Sequence, residues 1–326
     1  MASRVLGFVR DVLIAAFLGA GPVAEAFFVA FRLPNMFRRF FAEGAFNMAF
    51  VPLFAKKLEG EGPDAARGFA VQATSGLFAV LVVFTVLAQI AMPWMSFGLA
   101  SGYEGERFDL AVTFGRIVFP YILFISLAAL FSGVLNSFGH FAAAAAAPVL
   151  LNVILIGAMS SGWALGLDIG LVLAWASCGA GLAQLALVWG AARRLGMGVV
   201  PGRPRWTPEM KRLVTLGVPA ALAGGVVQIN LVVGTQVASY FEGAVAWLWM
   251  ADRVYQLPLG VVGIAIGVVL LPELARRLRA GDLAGTRNSM NRAIEFTLAL
   301  TLPSAAGLIA IPVLITAVLF LSLIHI

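Results

Sequence analysis

Six stretches of this chain contain no Asp, Glu, Lys or Arg: residues 68–103, 117–167, 169–192, 213–241, 254–272 and 296–326. About 20 apolar residues carry a helix across the roughly 30 Å of bilayer hydrocarbon. Most of these stretches hold one crossing, and 117–167 holds two. Backbone amides in lipid must pair within their own segment or a closed barrel. A barrel would show short segments of alternating polarity, and none of these stretches alternates. Composition agrees, with 61% hydrophobic and 12% charged residues, against about 45–50% and about 25% in soluble domains. The pattern predicts an all-α polytopic membrane protein with about nine transmembrane helices, near 2–19, 23–58, 68–99, 108–138, 141–162, 168–194, 209–241, 243–279 and 285–320.

Smaller signals fit that frame. Pro34 removes a backbone donor and should bend the second helix. The alanines at 142–147 and the Gly263–Gly267 pair suit close helix packing. Arg10-Asp11 interrupts the first apolar run, so the amino terminus does not read as a cleavable signal. Cys178 is the sole cysteine and the two histidines, His140 and His325, lie far apart. No disulfide framework, metal-ligand spacing or cofactor motif follows from them. The net charge of +6 is spread through short loops rather than one basic stripe, which argues against nucleic acid as a partner.

The loops give an orientation. Lys56, Lys57, Arg67, Arg193, Arg194, Arg203, Arg205, Lys211, Arg212, Arg276, Arg277, Arg279, Arg287 and Arg292 fall on one side, fourteen of the 22 basic residues. The loops opposite offer only Arg107. Positive charge stays on the cytoplasmic side, which places the amino terminus in the cytoplasm. There is also an internal echo: Ala30-Phe31-Arg32 precedes Pro52-Leu53-Phe54-Ala55-Lys56-Lys57-Leu58, and Ala251-Asp252-Arg253 precedes Pro272-Glu273-Leu274-Ala275-Arg276-Arg277-Leu278. Two copies in one orientation suggest a parallel repeat. The expected organisation is a first lobe at 1–198, a cytoplasmic linker at 199–208 and a partial second lobe at 209–320.

Charges within the apolar helices are the informative residues. Helix 1 carries Arg4, Arg10 and Asp11; helix 2 carries Glu25, Arg32, Arg38, Arg39 and Glu43; helix 8 carries Asp252 and Arg253. Each costs about 2.5–3.5 kcal/mol to insert at the bilayer centre, so such groups face a cavity or a partner. At about 100° per residue, Arg4 and Asp11 share a face and Arg10 points elsewhere. Asp11 is therefore expected to neutralise one arginine without consuming both. Asp252 and Arg253 point apart. Salt bridges and snorkelling account for Arg32 and Arg39 taken singly. They account less well for Arg4, Arg10, Arg38 and Arg253 together, four planar donors suited to bidentate phosphate binding. A proton relay would favour lysine or histidine.

Ser3-Arg4-Val5-Leu6-Gly7-Phe8-Val9-Arg10-Asp11 resembles the opening signature of the MurJ/MviN family of lipid II flippases. The segment from Ala26 to Asn35, then Arg38-Arg39 and Ala42-Glu43-Gly44-Ala45-Phe46, continues the likeness. So does Ala251-Asp252-Arg253 with Gln256-Leu257-Pro258-Leu259-Gly260. The resemblance implies a two-lobed exporter fold, as in multidrug and oligosaccharidyl-lipid exporters, with a cationic central cavity. It implies transport of an undecaprenyl-diphosphate-linked peptidoglycan precursor to the outer leaflet of the bacterial inner membrane. The family's cavity arginines fall on Arg4, Arg10, Arg38 and Arg253. Its acidic companions fall on Asp11, Glu25 and Glu43, Asn35 matches a polar motif residue, and Asp252 beside Arg253 is a further candidate site residue. Relatives carry about fourteen helices, so the second lobe is expected to be incomplete, and the 321–326 tail does not continue the pattern. Near Gly234, where some relatives carry an acidic residue of a sodium site, this chain has none.

The expected function is thus a lipid-linked oligosaccharide flippase working by alternating access, with the lipid-linked diphosphate and cell-wall synthesis proteins as partners. A related polysaccharide-lipid or multidrug exporter is the nearest alternative, although a cationic drug calls for an acidic cavity. A non-transporting scaffold gains nothing from four arginines facing water. A membrane enzyme would need a nucleophile–base or metal constellation, which the sequence does not offer.

Overall fold

Pro, Gly and capping residues set the punctuation of the fold. A computed structural model describes residues 2–38, 41 and 45–321. The described residues form helices and short connections: α1 (Ala2–Leu18), α2 (Pro22–Arg38), α3 (Ala45–Glu61), α4 (Pro63–Leu99), α5 (Glu106–Val118), α6 (Tyr121–Ser137), α7 (Ala142–Ala164), α8 (Ile169–Arg194), α9 (Pro208–Ala238), α10 (Ala244–Arg279), α11 (Leu283–Ala310) and α12 (Pro312–Thr316), then a π turn over Ala317–Leu321. Pro22, Pro63, Pro208 and Pro312 open helices, where the missing N–H is no loss. Asp168 caps α8 by accepting from Leu171 N at 2.9 Å, Thr207 caps α9, and Asp282 caps α11 from Gly285 N at 2.8 Å. Gly62, with φ of 88°, lets α3 turn directly into α4, a conformation costly for any residue with a Cβ.

Three expected helices are divided. A single helix over 23–58 would be about 54 Å long, nearly twice the hydrocarbon thickness. Instead α2 runs through Pro34 to Arg38, and α3 starts at Ala45. The segment expected at 108–138 breaks at Pro120, where Ile122 N and Leu123 N turn to the tighter acceptors Phe119 O and Pro120 O, at 3.0 and 3.1 Å. The last one breaks at Ile311, before Pro312.

By packing, the chain separates into two compact units, 1–246 and 247–326. In the first, α2 is central, with Ala24 through Phe31 all buried. It lies against α5 and α6, α7 against α8, α1 against α7, and α3 against α9. Aromatic contacts fill the interior, including Phe27–Phe31 at 5.6 Å and Phe50–Phe69 at 5.5 Å. The linker expected at 199–208 lies inside this unit. Gly202 N donates to Ser75 Oγ at 2.9 Å and Arg205 N to Gln72 Oε1 at 3.1 Å, so α4 holds the linker.

The second unit contains the rest of α10 with α11 and α12. Arg277 ties Glu273 to Asp282, at 2.6 and 3.3 Å, across the α10–α11 turn. Among its described side chains, α11 buries none.

The exposed surface is apolar. Val83, Leu87, Ile90, Trp94 and Phe97 stand out from α4, each more than half exposed. Five helical stretches among the described residues are long and apolar enough to span: Pro63–Leu99, Glu106–Ser137, Ala142–Ala164, Ile169–Arg194 and Leu283–Ala310. An apolar exterior over helices that pair their own backbone groups is the arrangement lipid demands. The protein is a multi-pass membrane protein.

Candidate functional site

Arg10 and Asp11 sit mid-way along α1, 8% and 5% exposed. Charges taken that far from water stay ionised only when paired and hydrogen-bonded. Arg10 Nε and Nη2 donate to Asp11 Oδ1 at 3.0 and 2.7 Å. Its Nη1 donates to Asn152 Oδ1, on α7, at 2.9 Å. The Asn152 amide nitrogen donates in turn to Ser3 O at 3.0 Å and Pro148 O at 3.1 Å. Both ends of the Asn152 amide are thereby used, and α1 is fastened to α7.

This corrects the expectation that Arg10 points away from Asp11. The 100° step between neighbouring Cβ atoms fixes where the side chains start, not where they end. The three-carbon stem of arginine brings its guanidinium back over the next residue. Three of the five N–H donors of an arginine are thus engaged within the protein at Arg10.

The other predicted residues are placed as follows. Arg4 is exposed on α1. Asn35 is half-buried on α2 and donates to Phe31 O of its own helix at 2.8 Å. Arg38, half-buried, is the last residue of α2. Arg32, nearly two turns before it, donates through Nη1 to Thr235 Oγ1 on α9. Glu43 and Arg39 lie outside the described residues. Within the second unit, Asp252 and Arg253 are half-buried on α10. The Arg253 guanidinium stacks 4.6 Å from the Trp249 ring centroid, and its Nη1 reaches Gln256 Oε1 at 3.4 Å. The stack holds a planar cation by its face and leaves its edge to a hydrogen-bonding partner.

Glu25 occupies a different place, at the start of α2. It is fully buried, with Arg107 Nη1 at 3.4 Å and Val245 N donating to it at 3.4 Å. Beside it the 100–105 turn meets the end of α9 in a latch. Ser101 N donates to Gln236 Oε1 at 3.2 Å, Ser101 Oγ lies 2.7 Å from Tyr240 Oη, and Gly102 N donates to Ser239 Oγ at 2.9 Å. The Gln236 amide nitrogen donates back to Ser101 Oγ. Gly102 is required by proximity, because a Cβ there would stand 2.6 Å from the Ser239 carbonyl and Tyr240 N. Burial, with the Glu25 charge nearby, pushes the Tyr103 phenol up.

Asn152 was missed in the sequence because 117–167 reads as uniformly apolar. Its signal is a lone amide in a spanning helix, which is costly unless satisfied. Gln236, Ser239 and Tyr240 gave no such signal, since polar residues at a helix end are ordinary.

The family model described as Lipid II flippase MurJ matches residues 14–322. A probable lipid II flippase MurJ of Rhizobium meliloti is 52% identical over 326 residues, covering 98% of this chain and 61% of that relative. The lipid II flippase MurJ of Burkholderia cenocepacia is 38% identical, with coverages of 98% and 63%. A solved structure titled lipid II flippase MurJ, inward closed conformation, superposes with a TM-score of 0.79 at 25% identity, over 98% of this chain and 65% of that one. An inward-facing multidrug resistance MATE family transporter of the MOP superfamily gives 0.71 at 16% identity, over 97% and 72%, and shares the fold. The chain spans about three-fifths of the length of the curated relatives it matches.

Proposed function

Because the chain belongs to the lipid II flippase MurJ family, we propose that it moves an undecaprenyl-diphosphate-linked peptidoglycan precursor from the cytoplasmic to the outer leaflet of the bacterial inner membrane. It acts as a transporter and not as an enzyme, with its amino terminus in the cytoplasm. The observation that carries this reading is the set of arginines on α1, α2 and α10, held by two different devices. Arg10 is locked to Asp11 and Asn152, which keeps a cation fixed in a low-dielectric interior. Arg4, Arg38 and Arg253, each more exposed than Arg10, bind the diphosphate in this reading. Asp11 and Asn152 are positioning residues for Arg10; Asn35, Glu43 and Asp252 are further proposed contacts of the precursor on the sequence pattern alone. Glu25 acts at a distance from them, beside the latch, which holds the 100–105 turn to the end of α9 on the outer side.

Planar arginine forks match diphosphate oxygens two at a time, whereas lysine supplies a single point charge. Arg38→Lys should therefore retain part of the function and Arg38→Ala abolish it. The assay is complementation of cells depleted of their own flippase, using the natural full-length protein with membrane expression verified. Equal activity of the two variants would show that bidentate diphosphate binding is the wrong account. The basic lining gives no reason to prefer a cationic drug as substrate. Cell-wall synthesis proteins are the expected neighbours of such a transporter.

A further inference from the structure

An apolar groove of about 680 Å³ runs between α4, α9 and the end of α2, away from the Arg10 cluster. Its size falls within the range of about 300–1,000 Å³ for small-molecule sites. Gly76, Val80 and Phe84 line it from α4, and Met210, Val214 and Val218 from α9. Gly76 leaves the room, since a Cβ there would meet Met210 Cε at 2.9 Å. The groove opens outward: Val80, Val214 and Val218 are 54%, 40% and 52% exposed. From Gln72 at the rim to Phe84 is about 18 Å along the helix at 1.5 Å per residue. Half of the hydrocarbon core is about 15 Å. The groove therefore has the depth of one leaflet.

Its rim is cationic and fixed. Arg205 and Trp206 line the mouth, Arg203, Lys211 and Arg212 are exposed close by in sequence, and the linker is bonded to Gln72 and Ser75 of α4. The nearest acid on α9, Glu209, is taken by Lys57 at 2.9 Å, so it does not offset the arginines. Trp206 is 72% exposed, in the manner of an interfacial tryptophan. An apolar slot one leaflet deep under a basic rim fits a lipid with an apolar chain and an anionic head.

We propose that this groove holds an acyl chain of an anionic phospholipid from the leaflet on the linker side, with its phosphate against Arg205 and Arg203. None of the residues assigned to the transported precursor lines the groove, although Phe37 is the chain neighbour of Arg38, and the proposal does not depend on that assignment.

Trp206 supplies the probe. In bilayers with brominated acyl chains, the part of the emission lost in Trp206→Phe reports chains at the groove against the other six of the seven tryptophans. Brominated phosphatidylglycerol in a phosphatidylcholine bilayer should quench that part severalfold more than brominated phosphatidylcholine at the same mole fraction. Each rim arginine should contribute about fivefold to relative affinity. Arg203→Gln with Arg205→Gln should bring the two lipids to parity. In the unmodified protein, raising salt should narrow the contrast by screening the exposed rim, which tests the charge without any substitution. Equal quenching by both lipids at low salt, or no quenching of Trp206 by either, would overturn the proposal.

Discussion

Arg10 on α1 and Arg253 on α10 are the same residue type within long helices, yet their surroundings differ in kind. Arg10 is 8% exposed and held by a carboxylate and an amide. Arg253 is half-buried and rests on an indole, with Gln256 at the edge of hydrogen-bonding distance. One is built into the packing of α1 on α7, and the other is presented from a helix surface. Under the proposed function, the difference would separate a charge held in the packing from one that contacts the ligand.

The comparison breaks most readily at Asp11. Asp11→Ala leaves the Arg10 guanidinium buried beside an amide alone, and removing one partner of a buried pair costs about 3–5 kcal/mol. Arg253→Ala forfeits a partly exposed cation–π contact worth about 0.5–1 kcal/mol. Unfolding by denaturant in detergent should show that gap in midpoint, with the Asp11 variant far the weaker. Similar midpoints would mean that the two arginines are held alike.

A second test sharpens the role of close approach at the latch. Gly102→Ala pushes a Cβ into the Ser239–Tyr240 backbone, a clash of the kind that costs about 1–3 kcal/mol. Gly98→Ala, with nothing within 4 Å, should be neutral or slightly stabilising within its helix. Thiol labelling at a cysteine placed at Ser101 should accelerate in the Gly102 variant and not in the Gly98 variant.

Much of this contrast was legible in the sequence, and the rest was not for identifiable reasons. The charge-free stretches announced a helical membrane protein, and the arginines outside them, on α1, α2 and α10, suggested a cationic site. Helix ends at Pro22, Pro208 and Asp168 follow from local chemistry. The Arg10–Asp11 contact was misread because a face argument follows Cβ directions and ignores the reach of a long side chain. Asn152 lies 142 residues from Arg10, and no local pattern links positions that far apart. The division of the fourth segment at Pro120 could have been read from the proline alone. The place of the linker within the first unit could not, since it rests on bonds to Ser75 and Gln72 formed only in the fold.

The smallest expected effect is at the exposed ion pair joining α3 to α9. Lys57 holds the Glu209 carboxyl at about 2, and that carboxylate raises the Lys57 ammonium above its usual value. A depressed carboxylate stabilises the fold above its unfolded pKa of about 4.3, and loses that contribution as pH falls toward 2. A raised ammonium contributes below about 10.4, and the contribution is lost as pH rises through its folded value. With Glu209 44% exposed, solvent limits the pair to no more than about 1 kcal/mol. The stability difference between wild type and Glu209→Gln should vanish on acidification from pH 5 to about pH 2, and persist from pH 5 to about pH 9.

The central proposal is that Arg4, Arg38 and Arg253 bind the diphosphate while Arg10 is held in the packing of α1 on α7. Its most direct test is leaflet exposure of the lipid-linked precursor, read with an externally added probe, for the natural full-length protein and its Arg253→Gln variant. The account predicts an unfolding midpoint close to that of wild type together with loss of most of the transport rate. Transport at the wild-type rate by a folded Arg253→Gln protein would contradict it.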